Sequence, residues 1–403
     1  MRSLRVLPAA LGALVLGAGA VLLLANLAVR AATPGQEIKL FPGLHGATAP
    51  VQQPFGFEAV LDGSFQRAAG QLIGGRVPLH PFAVRLRNQA LYALFRETAV
   101  PSLVVGTGDQ LIERAYLDEY CSRNVATFLP GARAWAGLIR EMQDAAERRG
   151  QTFLYVLTPS KLAQYPDILP PGIPCSAAPL DRAGQVPAWL DTLRAAGVHV
   201  VDTVAVLSAA QSRYPFRLYP AGGAHWNQVG GMLAGQAVGA GLEELRRDGS
   251  FPLVPFAWRM SNKLDPFDTD LADLLNLLLA GAREPMPAVT PEPPPSPPGC
   301  MPRRVVIVGG SFGNALGSYL SLLPCRPVVA EYEYWHRFHE TWERGRRVTR
   351  DKVDPAQRAR DLQTADVVLY EENEQILGHS DHGRALHEFL LARPPGGAAG
   401  GER

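Results

Sequence analysis

The chain has only four cysteines, Cys121, Cys175, Cys300 and Cys325, and no two of them are spaced as C-x-x-C. Such wide spacing excludes a zinc site built on cysteine pairs. Net charge is equally scarce. The formal value is +1, and setting aside Arg2, Arg5 and Arg30 leaves the remainder at −2, so no basic field exists for nucleic acid. Beyond residue 30 no apolar run is long enough to cross a bilayer, which excludes a multi-pass topology. What is present is globular: 47% hydrophobic and 19% charged residues over 403 positions suffice for one large core or two moderate ones.

The first thirty residues address the compartment. Arg2 and Arg5 precede an apolar run from Leu7 to Val29, broken only by Pro8 and Asn26, which as a helix spans roughly the ~30 Å hydrocarbon core. This predicts a single N-terminal transmembrane helix, a signal-anchor over residues 1–30, with the amino terminus in the cytoplasm and the body of the chain outside. Cleavage near Ala31 or Ala32, releasing the chain on that side, is the alternative. Cysteines on that oxidising side are expected to pair. Cys300 precedes the Val305 strand and Cys325 follows the next helix, and a right-handed βα unit brings those ends together. Cys121 with Cys175 then follows by elimination, and four free buried thiols are the other option.

Residues 31–54, rich in Pro, Gly and Thr, read as a stalk. A domain over 55–393 follows, opening with an amphipathic helix through Phe82, Val84, Leu86, Leu91 and Leu94. From about Val100 the chain alternates apolar strands (Phe153 to Leu157, Val198 to Val201, Val305 to Val308, Val328 to Ala330, Asp366 to Tyr370) with helices. Such continuous strands predict an α/β fold, a doubly wound parallel sheet with helices on both faces. Residues 284–302 hold nine prolines and read as an extended insertion within that domain. Residues 394–403 read as a disordered tail.

Chemistry is suggested where Val305–Val308 stops at Gly309-Gly310-Ser311 and a helix-like stretch begins. That sequence presents a hydroxyl at the carboxyl edge of a parallel sheet. His225, in Gly223-Ala224-His225-Trp226-Asn227, is the candidate base, since a serine needs an imidazole to become nucleophilic. Ser311 as a plain helix N-cap is the competing view.

The ordered pieces Leu61-Asp62-Gly63-Ser64, Arg87-Asn88-Gln89, Thr158-Pro159-Ser160-Lys161, Ala224-His225-Trp226-Asn227, Gly310-Ser311-Phe312 and Asp366-Val367-Val368-Leu369 with Glu371 and Glu374 resemble the AlgJ/AlgX acetyltransferase family of alginate biosynthesis. That resemblance implies an SGNH hydrolase-like fold and an O-acetyltransferase in which Ser311 carries the acetyl group and His225 moves its proton. The acceptor it implies is an exported, alginate-like polysaccharide. A multi-pass membrane protein would supply acetyl groups at the cytoplasmic membrane. No cofactor or metal is implied, and acetylesterase activity would use the same residues.

Gly310, Phe312 and Asn314 are candidates for the oxyanion and nucleophile loop. Lys161, Asn227, Tyr332 and Tyr334 are candidate substrate contacts. His379, Asp381 and His382 look like metal ligands, but the surrounding Gly378 and Gly383 favour an exposed helix start. The family carries Asp two residues before its histidine and Asp directly before its serine, whereas this chain has Gly223 and Gly310. Asp202, Glu331 and Glu333 are candidate replacement acids. If none reaches His225, the chain is instead a catalytically inactive member that binds glycan or scaffolds an exopolysaccharide biosynthesis complex.

Overall fold

The computed structural model describes residues 3–46, 56–279, 281–343 and 346–392, with side chains from Gly17 onward apart from Glu343. Two compact units are present, Met1–Pro101 with Leu271–Gly281, and Ser102–Asp270 with Ala282–Arg403. The first is helical: α1 (Ser3–Ala32), α2 (Phe57–Leu61), α3 (Ser64–Gly74), α4 (His80–Ala90) and a π-helical turn Leu91–Phe95. Helix α4 forms where an amphipathic helix is expected, and Phe82, Val84 and Leu91 are half-buried, but the expected face is incomplete. Leu86 and Leu94 are exposed, while Asn88 is buried and donates from Nδ2 to the Leu275 carbonyl at 2.8 Å.

The expected anchor over residues 1–30 falls largely on α1, whose first side chains lie outside those described. Among the described residues no helix is long and apolar enough to cross a membrane. Part of the expected stalk, 47–54, and the expected tail, 394–403, also lie outside the described residues.

The second unit opens with a hairpin, β1 (Leu103–Val105) and β2 (Leu111–Glu113), followed by α5 (Arg114–Ser122) and α6 (Val125–Glu147). Its main sheet has the parallel strands β3 (Thr152–Thr158), β4 (Val200–Asp202), β7 (Arg304–Gly309), β8 (Val328–Glu333) and β11 (Val367–Asn373). To these are added β9 (Phe338–Glu343) and β10 (Arg346–Arg350), in the order β10-β9-β8-β7-β11-β3-β4. Helices α9 (Thr203–Ala210), α10 (Gln228–Arg246) and α12 (Gly313–Ser321) pack on one face. On the other face lie α6, α8 (Pro179–Ala195), α13 (Pro355–Thr364) and α14 (Asp381–Leu391). Short α7 (Lys161–Gln164) follows β3, and α11 (Asp270–Leu274) follows β5 (Phe256–Ser261) in the chain and, after Asp270, belongs to the first unit.

The unbroken apolar strands follow from this layering, because each strand serves two cores. On β11, Val367 and Leu369 join one core while Val368 and Tyr370 join the other; on β7, Val305 and Ile307 are opposed to Val306 and Val308 in the same way.

The sheet is mixed rather than wholly parallel as expected. Strand β9 runs antiparallel to β8 and β10 antiparallel to β9. The reversal after β8 is made by Tyr334 and Trp335, which stand at φ 47° and 68°, a left-handed conformation that tight hairpins need and side chains disfavour. The proline-rich insertion is also not a loop throughout. Its first part is β6 (Met286–Pro291), paired antiparallel with β5 (Phe256–Ser261). A two-stranded ribbon consists only of edges, where proline's missing N–H is tolerated. The disulfides are Cys121–Cys175 and Cys300–Cys325, the latter closing a 25-residue segment that contains β7 and α12.

Candidate active site

Strand β7 ends at Gly309, Gly310 turns the chain, and Ser311 stands just before α12. Across the carboxyl edge of the sheet, Asn227 caps α10 by accepting from the Gly230 amide at 3.0 Å, which fixes the preceding loop that carries His225. The His225 Nε2 and Ser311 Oγ atoms are 2.7 Å apart. On the far side of the ring, His225 Nδ1 lies 2.7 Å from Oδ2 of Asp270. The other oxygen of that carboxylate, Oδ1, accepts from the Ala224 backbone amide at 2.9 Å. The imidazole is further held between Phe267 and Phe312, with ring centroids at 4.7 and 4.8 Å. A hydroxyl, an imidazole and a carboxylate in this linear order form a relay able to deprotonate a serine.

Asp270 is the group that sequence reasoning missed. None of the three expected replacement acids bonds to His225. Asp202 caps α9 through the Ala205 amide. Glu331 is buried, accepting from Asn314 Nδ2 at 3.3 Å and Trp342 Nε1 at 3.2 Å. Glu333, at the end of β8, is buried, and that burial raises its carboxyl above the usual range. The one available signal was the run Asp265-Pro266-Phe267-Asp268-Thr269-Asp270, in which Asp265 and Asp268 serve a capping box. Burial raises the Asp268 carboxyl to about 6.

Gly223 shows why the acid arrives from so far away. A Cβ at this position would run into the Phe267 carbonyl oxygen and would sit 2.8 Å from the Pro220 ring. The segment that delivers Asp270 therefore occupies the space in which a residue-223 side chain would begin.

Gly310 is compensated by a different carboxylate. Glu371, fully buried on β11, accepts from the Gly310 amide at 2.6 Å through Oε2, and its Oε1 accepts from the Thr158 hydroxyl. Burial raises the Glu371 carboxyl to about 7, against the pull of these hydrogen bonds. The expected oxyanion role of Gly310 is corrected accordingly, since its N–H is already engaged. Phe312 is buried against His225 and Trp226, with the Trp226 ring centroid at 5.0 Å. Asn314 lines the cavity in front of Ser311, but its side chain is engaged by Glu331 and Arg347.

The candidate substrate contacts divide sharply. Lys161 is buried and donates its three ammonium hydrogens to the carbonyls of Leu111 (3.0 Å), Ala221 (2.9 Å) and Gly223 (3.0 Å). It ties β2 and the His225 loop to the end of β3, and burial lowers its pKa to about 7. Asn227 is equally committed, donating from Nδ2 to the Arg217 carbonyl at 2.9 Å while it caps α10. Tyr332 is fully buried, stacks on His339 and donates to Asp361 at 2.6 Å. These three are structural. Tyr334 differs from these three in standing beside the nucleophile turn, where a Cβ at Gly310 would lie 3.6 Å from its hydroxyl. Ser380 caps α14, so Asp381 and His382 do form a helix start, but His382 is buried rather than exposed, and burial lowers its pKa to about 4.

Residues 116–293 match the family model described as SGNH hydrolase-like domain, acetyltransferase AlgX. The match contains His225 and Asp270 and ends before Ser311. Among solved structures, the chain is similar to the O-acetyltransferase domain of Pseudomonas putida AlgJ at 19% identity, covering 73% of this chain and 100% of that one with a TM-score of 0.48. Similarity extends to Pseudomonas aeruginosa AlgX at 15% identity, covering 72% of this chain and 65% of that one with a TM-score of 0.47. It extends also to Bacillus cereus PatB1 at 12% identity, covering 70% and 98% with a TM-score of 0.45. No curated protein sequence matches the chain.

Proposed function

With an SGNH hydrolase-like domain of the AlgX acetyltransferase kind over residues 116–293 as the premise, we propose that this protein is an O-acyltransferase that acts through a Ser311 acyl-enzyme. The acceptor is a hydroxyl of an exported, alginate-like polysaccharide, and acetyl is the acyl group that the family likeness implies. The observation that carries the reading is the unbroken relay from Ser311 Oγ through His225 to Asp270, both contacts at 2.7 Å.

In this reading Asp270 keeps the imidazole proton on Nδ1, leaving Nε2 free to take the Ser311 proton as Oγ bonds to the donor's carbonyl carbon. Collapse of the tetrahedral intermediate expels the donor's leaving group, which takes that proton from His225. The acceptor hydroxyl then gives its own proton to Nε2 while attacking the ester, and Ser311 recovers it on departure. Water in place of the sugar gives hydrolysis by the same steps. Tyr334 and the backbone amides of Ser311 and Phe312 are the donors assigned to the developing oxyanion in this reading. Placement at the periplasmic face, tethered through the Leu7–Val29 run and supplied by a multi-pass membrane donor, belongs to the same proposal. A catalytically inactive member would have no use for a relay completed from an unrelated segment.

The test is acetyl transfer from a chromogenic acetyl ester to an acidic oligosaccharide by the purified protein and by Ser311→Ala. Turnover abolished in Ser311→Ala supports the acyl-enzyme. Equal turnover in both proteins, or none in either with normal folding, overturns it.

A further inference from the structure

The cavity in front of Ser311 measures about 390 Å³, and Asp265, Asp268, Asn314 and Arg347 are among the residues that line it. Among the described residues of that lining, Arg347 is the one permanent cation. Strand β10 places it there. Arg347 pairs with Trp342 across the β9–β10 ladder, so the two side chains share a face, and Trp342 belongs to the core on the α12 side of the sheet. The guanidinium stands 5.8 Å from the Trp342 ring centre and 5.7 Å from that of Phe267. Phe267 in turn packs on His225 with ring centroids 4.7 Å apart, so a single aromatic ring separates the charge from the imidazole. Asn314, three residues beyond Ser311, is the second link, since its Oδ1 accepts from Arg347 Nη1.

That bond and an approach to Glu340 at 3.7 Å both use Nη1. Among the described residues no partner meets Nε or Nη2, and the side chain is 37% exposed. A guanidinium held on one nitrogen keeps its planar Nε–Nη2 edge for a ligand, and that edge matches a carboxylate with two parallel hydrogen bonds. Burial raises the carboxyls of Glu331, Glu340 and Asp268, the last to about 6, which weakens the opposing charge beside the guanidinium. Asp265 lines the same cavity, its carboxylate accepting the Phe267 amide at 3.1 Å with further lone pairs to offer. An acidic sugar meets both groups, with a carboxylate for Arg347 and hydroxyl donors for Asp265. A neutral sugar leaves the guanidinium edge unmatched, and a fully ionised phosphate brings no donor to Asp265.

We propose that Arg347 selects the acceptor, binding the carboxylate of a uronic acid ring while a hydroxyl of the same chain reaches His225 Nε2. The inference rests on the acyl-enzyme reading above and names the side chain by which that site tells an acidic polymer from a neutral one. No bond made or broken in acyl transfer changes. Arg347 holds the acceptor away from the reacting atoms, and binding of that kind, equal in ground and transition states, is read in KM.

The test measures transfer from p-nitrophenyl acetate to an oligomannuronate and to the same oligosaccharide with its carboxyls reduced to alcohols, using the full chain, Arg347→Gln and Arg347→Lys. A charge-assisted pair carries about ten- to hundredfold in affinity. The acidic oligomer should therefore show a KM at least about tenfold below that of the reduced one. Arg347→Gln should raise it to the reduced oligomer's value, and Arg347→Lys, a charge without the fork, should restore part of the difference. Should the variants misfold, binding of the acidic oligomer to Ser311→Ala reads the same ion pair: its affinity should fall with added salt while that of the reduced oligomer holds. Equal KM values in the unaltered chain, a difference that persists in Arg347→Gln, or salt-independent binding overturns the role of Arg347 and leaves the acyl-enzyme standing. Absence of Ser311-dependent turnover with either oligomer and with water removes the acyl-enzyme, and the acceptor site with it.

Discussion

At the scale of single residues, the acid of the relay is the informative group. Asp270→Asn keeps the shape of the site but reverses the tautomer preference of His225, and in Ser-His-Asp sites this change costs about four orders of magnitude in kcat. The same ester assay should show that loss with KM little moved. Gly223→Ala places a methyl against the Phe267 carbonyl, so its urea midpoint should fall by an amount equivalent to about 1–3 kcal/mol. Ser311 was legible in the sequence because it follows a strand end, and His225 because the Ala224-His225-Trp226-Asn227 motif resembles that of the family. Asp270 was not, since three aspartates crowd into six residues and only tertiary contacts tell the relay member from the two that cap a turn. Lys161, Asn227 and Tyr332 were misassigned for a related reason. A polar side chain near a strand end looks the same in sequence whether it meets solvent or, like Lys161, three carbonyl oxygens.

At the scale of elements, the parallel strands were readable because burial on two faces writes itself as an unbroken apolar run. Strands β9 and β10 were not, because Phe338–Glu343 and Arg346–Arg350 carry charged residues throughout and lie toward a sheet edge. The ribbon β5–β6 was hidden by its prolines. The Cys300–Cys325 link closes its 25-residue segment around β7 and α12, the two elements that present Ser311. Closing a loop of this size restricts the unfolded chain by about 3 kcal/mol. Cys300→Ser with Cys325→Ser should therefore lower the melting temperature by several degrees in calorimetry, and an unchanged value would show that the link does not constrain the unfolded chain.

At the scale of the whole molecule, stability should depend on pH through a carboxyl remote from the relay. Glu372 is fully buried on β11, and burial raises it to about 8 although Trp135, Tyr155 and Tyr370 all donate to it. Between its ordinary value near 4.5 and about 8 the folded protein holds a proton that the unfolded chain has released. The favourable contribution is complete below pH 4.5 and is lost as pH rises through that window. Melting temperature should thus fall from pH 5 to pH 8, and Glu372→Gln should flatten that slope. The exclusion between a side chain at position 223 and the loop at Phe267 also reaches beyond one protein. With the loop docked, a chain bearing both acids cannot pack, and a chain bearing neither has nothing to orient its histidine. A lineage crossing from one arrangement to the other must pass through a crippled ancestor, so positions 223 and 270 should be inherited as a linked pair that switches together or not at all.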